Sequence, residues 1–382
     1  MITPSFFVNK IKNCGLDFFC GVPDSLLKSF CACLSDTIPE SNHWISANEG
    51  SAIGMATGHY LATGSAGVVY MQNSGEGNAI NPLVSLADEK VYGIPIFLLI
   101  GWRGEPGIKD EPQHVKQGEI TLNLLNTLGI EYNVLPSEES EASELIESTI
   151  SSMYKHSAPY AIIVRKNTFD KYSYQTNILS TNQLTRENAI QTVIDNIEKS
   201  GKKSVVVSST GMISRELYEY RVSKNQDGEC DFLTVGSMGH ASAIAMGIAL
   251  AQPNIDVYCF DGDGAILMHM GGLAIWGTAK LKNFKHILFN NGAHDSVGGQ
   301  PTVGFNVDFC KIANGCGYRN AYRVNSMEQI NDFFQNSLTV QDNIFLEIIV
   351  KRGARADLGR PKSTPQENKI KFMKYIQKNS TE

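Results

Sequence analysis

Short apolar runs rich in β-branched residues alternate with helix-like runs along the whole chain, and the series occurs twice. Runs without polar alternation suit strands covered on both faces, and strands separated by helices suit a parallel sheet. The expected strands are Phe18–Val22, Gly67–Met71, Ile94–Ile100 and Tyr160–Val164, then Ser204–Val207, Val257–Phe260, His286–Phe289 and Ile344–Val350. Ser51-Ala52-Ile53-Gly54-Met55 is matched by Ser242-Ala243-Ile244-Ala245-Met246, each opening a helix of small residues. A strand then ends in a polar loop, Gln72-Asn73-Ser74-Gly75-Glu76-Gly77-Asn78 in one half and Asp261-Gly262-Asp263-Gly264 in the other. From Asn73 to Gly101 is 28 residues, and from Asp263 to Asn291 is also 28. Both halves close on an apolar strand with basic residues behind it, Arg165-Lys166 and Lys351-Arg352. An offset of about 190 residues is far too long for a solenoid repeat. The expected fold is α/β, with two domains of one topology, each a mostly parallel sheet flanked by helices, and no middle domain. Their bounds are expected at 1–175 and 185–382, joined by a polar linker from Tyr172 to Asn182. Thr185 reads as the N-cap of a helix Arg186–Lys199, on which Ala189, Val193 and Ile197 recur at spacing four.

Composition removes several function classes. Of 382 residues, 42% are apolar and 19% charged, a globular balance that argues against global disorder. The net charge of −6 argues against nucleic-acid binding through a whole-protein positive field. The last segment runs the other way and reads as a solvated basic helix, with a polyanion site as the alternative. The longest apolar run, Ile94–Trp102, is too short to span a bilayer and reads as a buried strand. No basic-then-apolar segment opens the chain, so a cytoplasmic location is expected. The eight cysteines include no C-x-x-C pair, and reduced, mostly buried thiols are expected in place of disulfides or zinc.

The strongest local signal is Gly262-Asp263-Gly264 followed, after 25 residues, by Asn290-Asn291. Asp263 follows one expected strand and Asn291 the next, so adjacent strands would bring their oxygens together at a carboxyl edge, where α/β ligands bind. A carboxylate, an amide oxygen and loop carbonyls suit a hard cation such as Mg²⁺. The glycines allow backbone to approach a diphosphate. Gly-Asp-Gly alone is a common turn; the second strand and its Asn pair are what favour the cation site.

These residues resemble the signature of the thiamine-diphosphate-dependent enzymes. The resemblance implies thiamine diphosphate and Mg²⁺ as cofactors, with Asp263, Asn291 and the carbonyl of Ala293 on the metal. It implies that one domain grips the pyrimidine and the other the diphosphate, and that a homo-oligomer of at least two chains shares each site. Asn48-Glu49-Gly50 sits where the family places its pyrimidine-facing carboxylate, so Glu49 would drive the tautomer that generates the ylide; an ordinary helix-start Glu is the alternative. Gly236-Ser237-Met238-Gly239-His240 resembles the loop beneath the cofactor. Met238 would be the wedge there, or a core filler. His240 would face a phosphate or cap a helix. Gly211, Gly264, Ala265 and Asn73 would also line the cofactor.

Gly21-Val22-Pro23-Asp24-Ser25 resembles the opening loop of the decarboxylase branch, with Asp24 and Ser25 facing substrate. Gly101-Trp102-Arg103-Gly104-Glu105-Pro106-Gly107 and Asp110-Glu111-Pro112-Gln113-His114 follow a buried strand with no evident structural reason for so many polar groups. From Gly21 to Phe372 the resemblance points to the branch acting on 3-phosphonopyruvate, then to that acting on sulfopyruvate. The implied reaction adds the ylide to the keto carbon, expels CO₂ and leaves an enamine, which an acid protonates. Asp24, His114, His294 and Asp295 are candidates for that acid, with an exposed loop as the alternative for His114. Arg103 and Arg360 are candidates for the phosphonate, with surface pairing as the alternative. A carboligase, or a nucleotide-binding regulator that makes no use of Glu49, would be the competing readings.

Overall fold

The computed structural model describes residues 1–173, 182–337 and 342–380. The chain divides into two compact units, Met1–Ile178 and Leu179–Glu382. Residues 174–181 of the expected linker lie outside the described residues.

The first unit is built on β1 (Phe19–Gly21), β2 (His43–Ile45), β3 (Gly67–Gln72), β4 (Ile96–Gly101), β5 (Glu131–Val134) and β6 (Tyr160–Val164). All pair in parallel, in the order β2-β1-β3-β4-β6-β5. The second unit is built on β7 (Ser204–Ser208), β8 (Asp231–Leu233), β9 (Asp256–Gly262) and β10 (Phe284–Asn290). A short antiparallel pair, β11 (Ala293–His294) and β12 (Gln300–Pro301), precedes β13 (Asn320–Val324) and β14 (Ile344–Ile349). The larger sheet is parallel, in the order β13-β14-β10-β9-β7-β8. Read from the β8 edge, this is the order of the first sheet, so the repeat seen in the sequence is a repeat of topology.

Each sheet has one apolar cluster on either face. That is why the central strands carry no polar alternation: β4 and β10 are buried at every position. The strands absent from the sequence expectation are β2, β5, β8 and β13, together with the small β11–β12 pair. Three of these, β2, β5 and β13, are partly exposed, and their polar residues hide them from an apolar-run criterion. The run Ile94–Trp102 contains β4, which starts only after Pro95, a residue with no N–H to give the ladder.

The helix Arg186–Lys199 forms as expected, with Thr185 Oγ1 accepting from Asn188 N at 3.1 Å. The basic C-terminal segment is a helix, Pro365–Ser380, that buries Phe372 and Asn368. Asn368 holds the edge strand β8, accepting from Leu233 N at 3.1 Å and donating to Asp231 O at 2.9 Å. No helix among the described residues is long and apolar enough to cross a membrane.

In both sheets the strand order reverses after the first strand. The loops leaving β1 and β3, and those leaving β7 and β9, therefore diverge and open a crevice at the carboxyl edge.

Candidate active site

Glu49 is the first residue of the helix Glu49–Thr63, whose N-cap Asn48 accepts from Ser51 N at 2.9 Å. A helix start favours a charged carboxylate, but this one is 5% exposed, and burial pushes its carboxyl above the usual range. Asn78 Nδ2 counters that by donating to Glu49 Oε2 at 2.7 Å. Gly75 lies against the same side chain: a Cβ there would collide with Glu49 Oε1. Gly75 thus lets the carboxylate lie on the loop backbone.

Asp24, in the loop after β1, is fully buried. Gln72 Nε2, at the end of β3, donates to its Oδ1 at 2.6 Å, and Leu26 N donates to Oδ2 at 3.0 Å. Burial raises the Asp24 carboxyl despite these bonds and the Arg103 charge. Asn73 is also fully buried, and its amide is engaged locally: it donates to Arg103 O and Thr121 Oγ1 and accepts from Arg103 N.

The polar segments after β4 do have a structural reason, which corrects the sequence expectation. Asp110 gathers Arg103 through both Nε and Nη2, the backbone N–H groups of Gly104 and Glu111, and His114 Nδ1 at 3.0 Å. Burial alone would raise the Asp110 carboxyl; these donors outweigh it and hold it well below the usual carboxylate range. Arg103 Nη1 donates to Ser25 Oγ at 2.6 Å, so the loops after β1 and β4 are tied together. His114 lies in the helix Pro112–Leu128 and is buried, so the exposed-loop reading of it is also corrected.

Glu76 gave no sequence signal of its own. It is 2% exposed, and neither carboxylate oxygen meets a donor within hydrogen-bonding geometry among the described residues. Burial pushes its carboxyl up to about 8, moderated by nearby Gln117 and Thr121.

In the second unit, Asp263 follows β9 and Asn291 follows β10, and Asn291 N donates to Asp263 Oδ1 at 3.4 Å. Asp263 is 1% exposed, and burial raises its carboxyl to about 6, with Thr302 Oγ1 donating to Oδ2 in partial compensation. Gly304 closes over this carboxylate: a Cβ there would meet Asn290 Oδ1 at 2.6 Å and Asp263 Oδ2 at 2.7 Å. Met238 and His294 converge on Gly264, where a Cβ would lie 3.2 Å from the Met238 methyl and 2.6 Å from the imidazole. Burial lowers His294 to about 4, so its ring is neutral at pH 7. Ser237 and Gly239 both have positive φ, which turns the loop into the helix Ala241–Ala251. His240 occupies that helix's N-cap position, but its side chain makes no capping bond. It is exposed, with its ring centroid 4.4 Å from that of His269. Gly211 has φ 97°, a conformation open to glycine, and Ala265 is buried behind Gly264. Arg360 is exposed, next to Gly359, whose N donates to Glu219 Oε1 at 2.7 Å.

The cysteines are all free, yet one metal-ligating constellation exists among the described residues. Cys259, Asp261 and His286 place their ligand atoms within 4.8 Å of one another, fully buried. Asp261 accepts from Gly262 N at 3.0 Å and lies 3.3 Å from His286 Nε2, while His286 Nδ1 lies 3.4 Å from the Tyr318 hydroxyl. The carboxylate and both ring nitrogens thus have partners within the core.

Two family models match the chain: "Thiamine pyrophosphate enzyme, N-terminal TPP binding domain" over residues 3–125, and the corresponding C-terminal TPP binding domain over residues 209–348. A phosphonopyruvate decarboxylase of Streptomyces viridochromogenes is 32% identical, the match covering 98% of this chain and 95% of that one. One of Streptomyces hygroscopicus is 30% identical, with 98% and 94% covered. A sulfopyruvate decarboxylase of Methanosarcina acetivorans is 28% identical, with 90% of each covered. The chain belongs to the thiamine pyrophosphate-dependent decarboxylases.

This decarboxylase carries residues that fit the cofactor in both units. Asp263, Asn291 and the Ala293 carbonyl would offer a cation an oxygen-only donor set, as a hard cation requires. Gly75 and Gly304 let loop backbone lie directly on Glu49 and Asp263, where a side chain would collide with those carboxylates. Glu49, Asp263 and Asn291, the residues singled out in the sequence, lie buried at the carboxyl ends of strands or at a helix start. Gln72, Asn78 and Asp110 lie in segments the sequence singled out, but their orienting roles were not legible there, and Thr302 and Gly304, which enclose Asp263, carried no signal.

Proposed function

We propose that the chain decarboxylates 3-phosphonopyruvate to phosphonoacetaldehyde and CO₂, using thiamine diphosphate and Mg²⁺. The observation that carries this reading is near end-to-end similarity to two proteins named phosphonopyruvate decarboxylase. A 2-keto acid has nowhere to place the electron pair left by CO₂, and bound thiamine diphosphate supplies that sink.

Glu49 would be the carboxyl that exchanges a proton with the bound cofactor. Its burial favours the protonated form, and Asn78 keeps it oriented. Asp263, Asn291 and the Ala293 carbonyl would hold the cation that accompanies the diphosphate, and Met238 would pack against the cofactor. Among the candidate acids, Asp24 fits best, being buried, raised and beside the β1–β3 crevice. His294 is neutral at pH 7, and Asp295 is tied into an ion pair with Arg186. Arg103 Nη1 donates to the Oγ of Ser25, the residue next to Asp24 in the loop after β1. A phosphonate would take Arg103 Nη1 in exchange for Ser25, while Asp110 holds the rest of the guanidinium. The working form is a homo-oligomer of at least two chains, and its location is the cytoplasm.

The test is a panel of 2-keto acids offered to the purified protein with thiamine diphosphate and Mg²⁺, with the aldehyde identified by mass. Phosphonoacetaldehyde is the expected main product. Faster turnover of pyruvate or sulfopyruvate would refute the substrate assignment. Sulfopyruvate is the second reading, supported by the relative that matches 90% of this chain. Glu49→Gln should lose about 10²–10⁴-fold in rate.

A further inference from the structure

Asn291 poses a problem that its motif does not solve. A carboxamide has two ends of nearly equal size, and only the oxygen can bind a cation. Something must hold the amide the right way round.

Asn291 Nδ2 donates to Asp295 Oδ2 at 2.6 Å, while its Oδ1 accepts from Ala293 N at 3.1 Å. Turning the amide over would set its oxygen against a carboxylate and its NH₂ against an N–H, two repulsive contacts in place of two bonds. Asp295 is fixed in turn. Its Oδ2 accepts from Arg186 Nη1 at 2.9 Å and from Gly353 N at 3.1 Å. Arg186 is fixed by Glu216, which accepts from Nε at 2.8 Å and from Nη2 at 3.1 Å. The three side chains of this chain are 10% exposed or less. Three separate segments supply them: the start of the helix Arg186–Lys199, the helix Met212–Ser223 and the turn after β11. Arg352 holds the backbone of the same loop, donating to Gly292 O at 2.7 Å and Asn291 O at 3.3 Å.

We propose that the buried Glu216–Arg186–Asp295 chain is a positioning device that locks the Asn291 amide with its oxygen toward the diphosphate-bound cation. This rests on the assignment of Asn291 and Asp263 as cation ligands. Asp295 is then a positioning residue, and its effect should fall on metal affinity more than on the chemical step.

The experiment measures Mn²⁺ binding to the purified full chain with thiamine diphosphate present, reading free Mn²⁺ by its electron spin resonance. Outer-sphere partners of metal ligands typically contribute about 10–100-fold in affinity, and Asp295→Ala should weaken Mn²⁺ binding by that factor. The KM for the metal should rise in step, with kcat recovered at saturating metal. Arg186→Lys keeps the charge but not the fork, and should fall between wild type and Asp295→Ala. Asp263→Ala tests the underlying assignment: wild-type Mn²⁺ affinity there would refute the cation site itself. Weakened binding in Asp263→Ala together with affinity within twofold of wild type in Asp295→Ala would overturn the positioning role alone. Should Asp295→Ala not fold, Asp295→Asn takes its place with the same readout. A loss of about threefold or more is expected of it, as only part of the outer-sphere contribution is removed. An unchanged affinity overturns the proposal.

Discussion

Glu76 carries a stability cost that depends on pH, and Glu76→Gln isolates it. Among the described residues no donor meets this buried carboxyl in good hydrogen-bonding geometry, and with Gln117 and Thr121 only moderating the effect its folded-state value is about 8 against 4.5 for an unhindered Glu. The sign follows from proton binding. Above pH 4.5 the unfolded chain has released this proton and the folded chain keeps it, so stability falls as pH rises, until the folded form also ionises near 8. At about 1.4 kcal/mol per unit, the cost is about 1.4 kcal/mol at pH 5.5 and about 4 at pH 8, a difference of about 3 kcal/mol. Glutamine has the same shape and no titration. Other buried carboxyls, Glu49 and Asp24 among them, contribute equally to wild type and variant and cancel in the comparison. The assay is thermal unfolding of both proteins at several pH values, followed through the fluorescence of Trp102, which is buried in the same unit. For a domain of this size, about 3 kcal/mol corresponds to about 6–12 °C. The variant should gain that much on wild type between pH 5.5 and 8. Parallel curves for the two proteins would refute the reasoning, because Glu76 would then be charged and paired in the folded state.

Three further outcomes follow from the same geometry. Asn78→Ala removes the donor that lowers Glu49, so the pH–rate profile should move to higher pH; an unmoved profile would separate Asn78 from Glu49 function. Gly75→Ala places a methyl on the Glu49 carboxylate, so activity should fall by about 10²-fold or more, as expected for a displaced catalytic group, while the circular dichroism spectrum stays native. Arg221 is buried and pairs with Asp231 through two nitrogens and with Glu198 through a third, so Arg221→Ala should cost about 3–5 kcal/mol in urea unfolding, with the effect confined to the Leu179–Glu382 unit.

Much of this protein was already determined by its sequence. The doubled series of apolar runs implied two parallel sheets of one topology, because a strand buried on both faces must be apolar throughout. Asp263 and Asn291 were legible for a related reason: each stands at the end of such a strand, so sequence spacing converts directly into position on a sheet edge. Edge strands such as β5 and β13 escaped, because solvent on one side relaxes the demand for apolar residues. The orienting residues escaped for a different reason. Arg186 and Asp295 are 109 positions apart, and Asp24 and Gln72 are 48 apart. Such pairs have no fixed spacing, since it is chain folding that brings them together. Only the tertiary structure decided that Asp110 would be a hub, that Glu76 would be buried away from water, and that Asp295 would face a guanidinium. Burial sets the energy of each of these groups, and burial belongs to the packed fold.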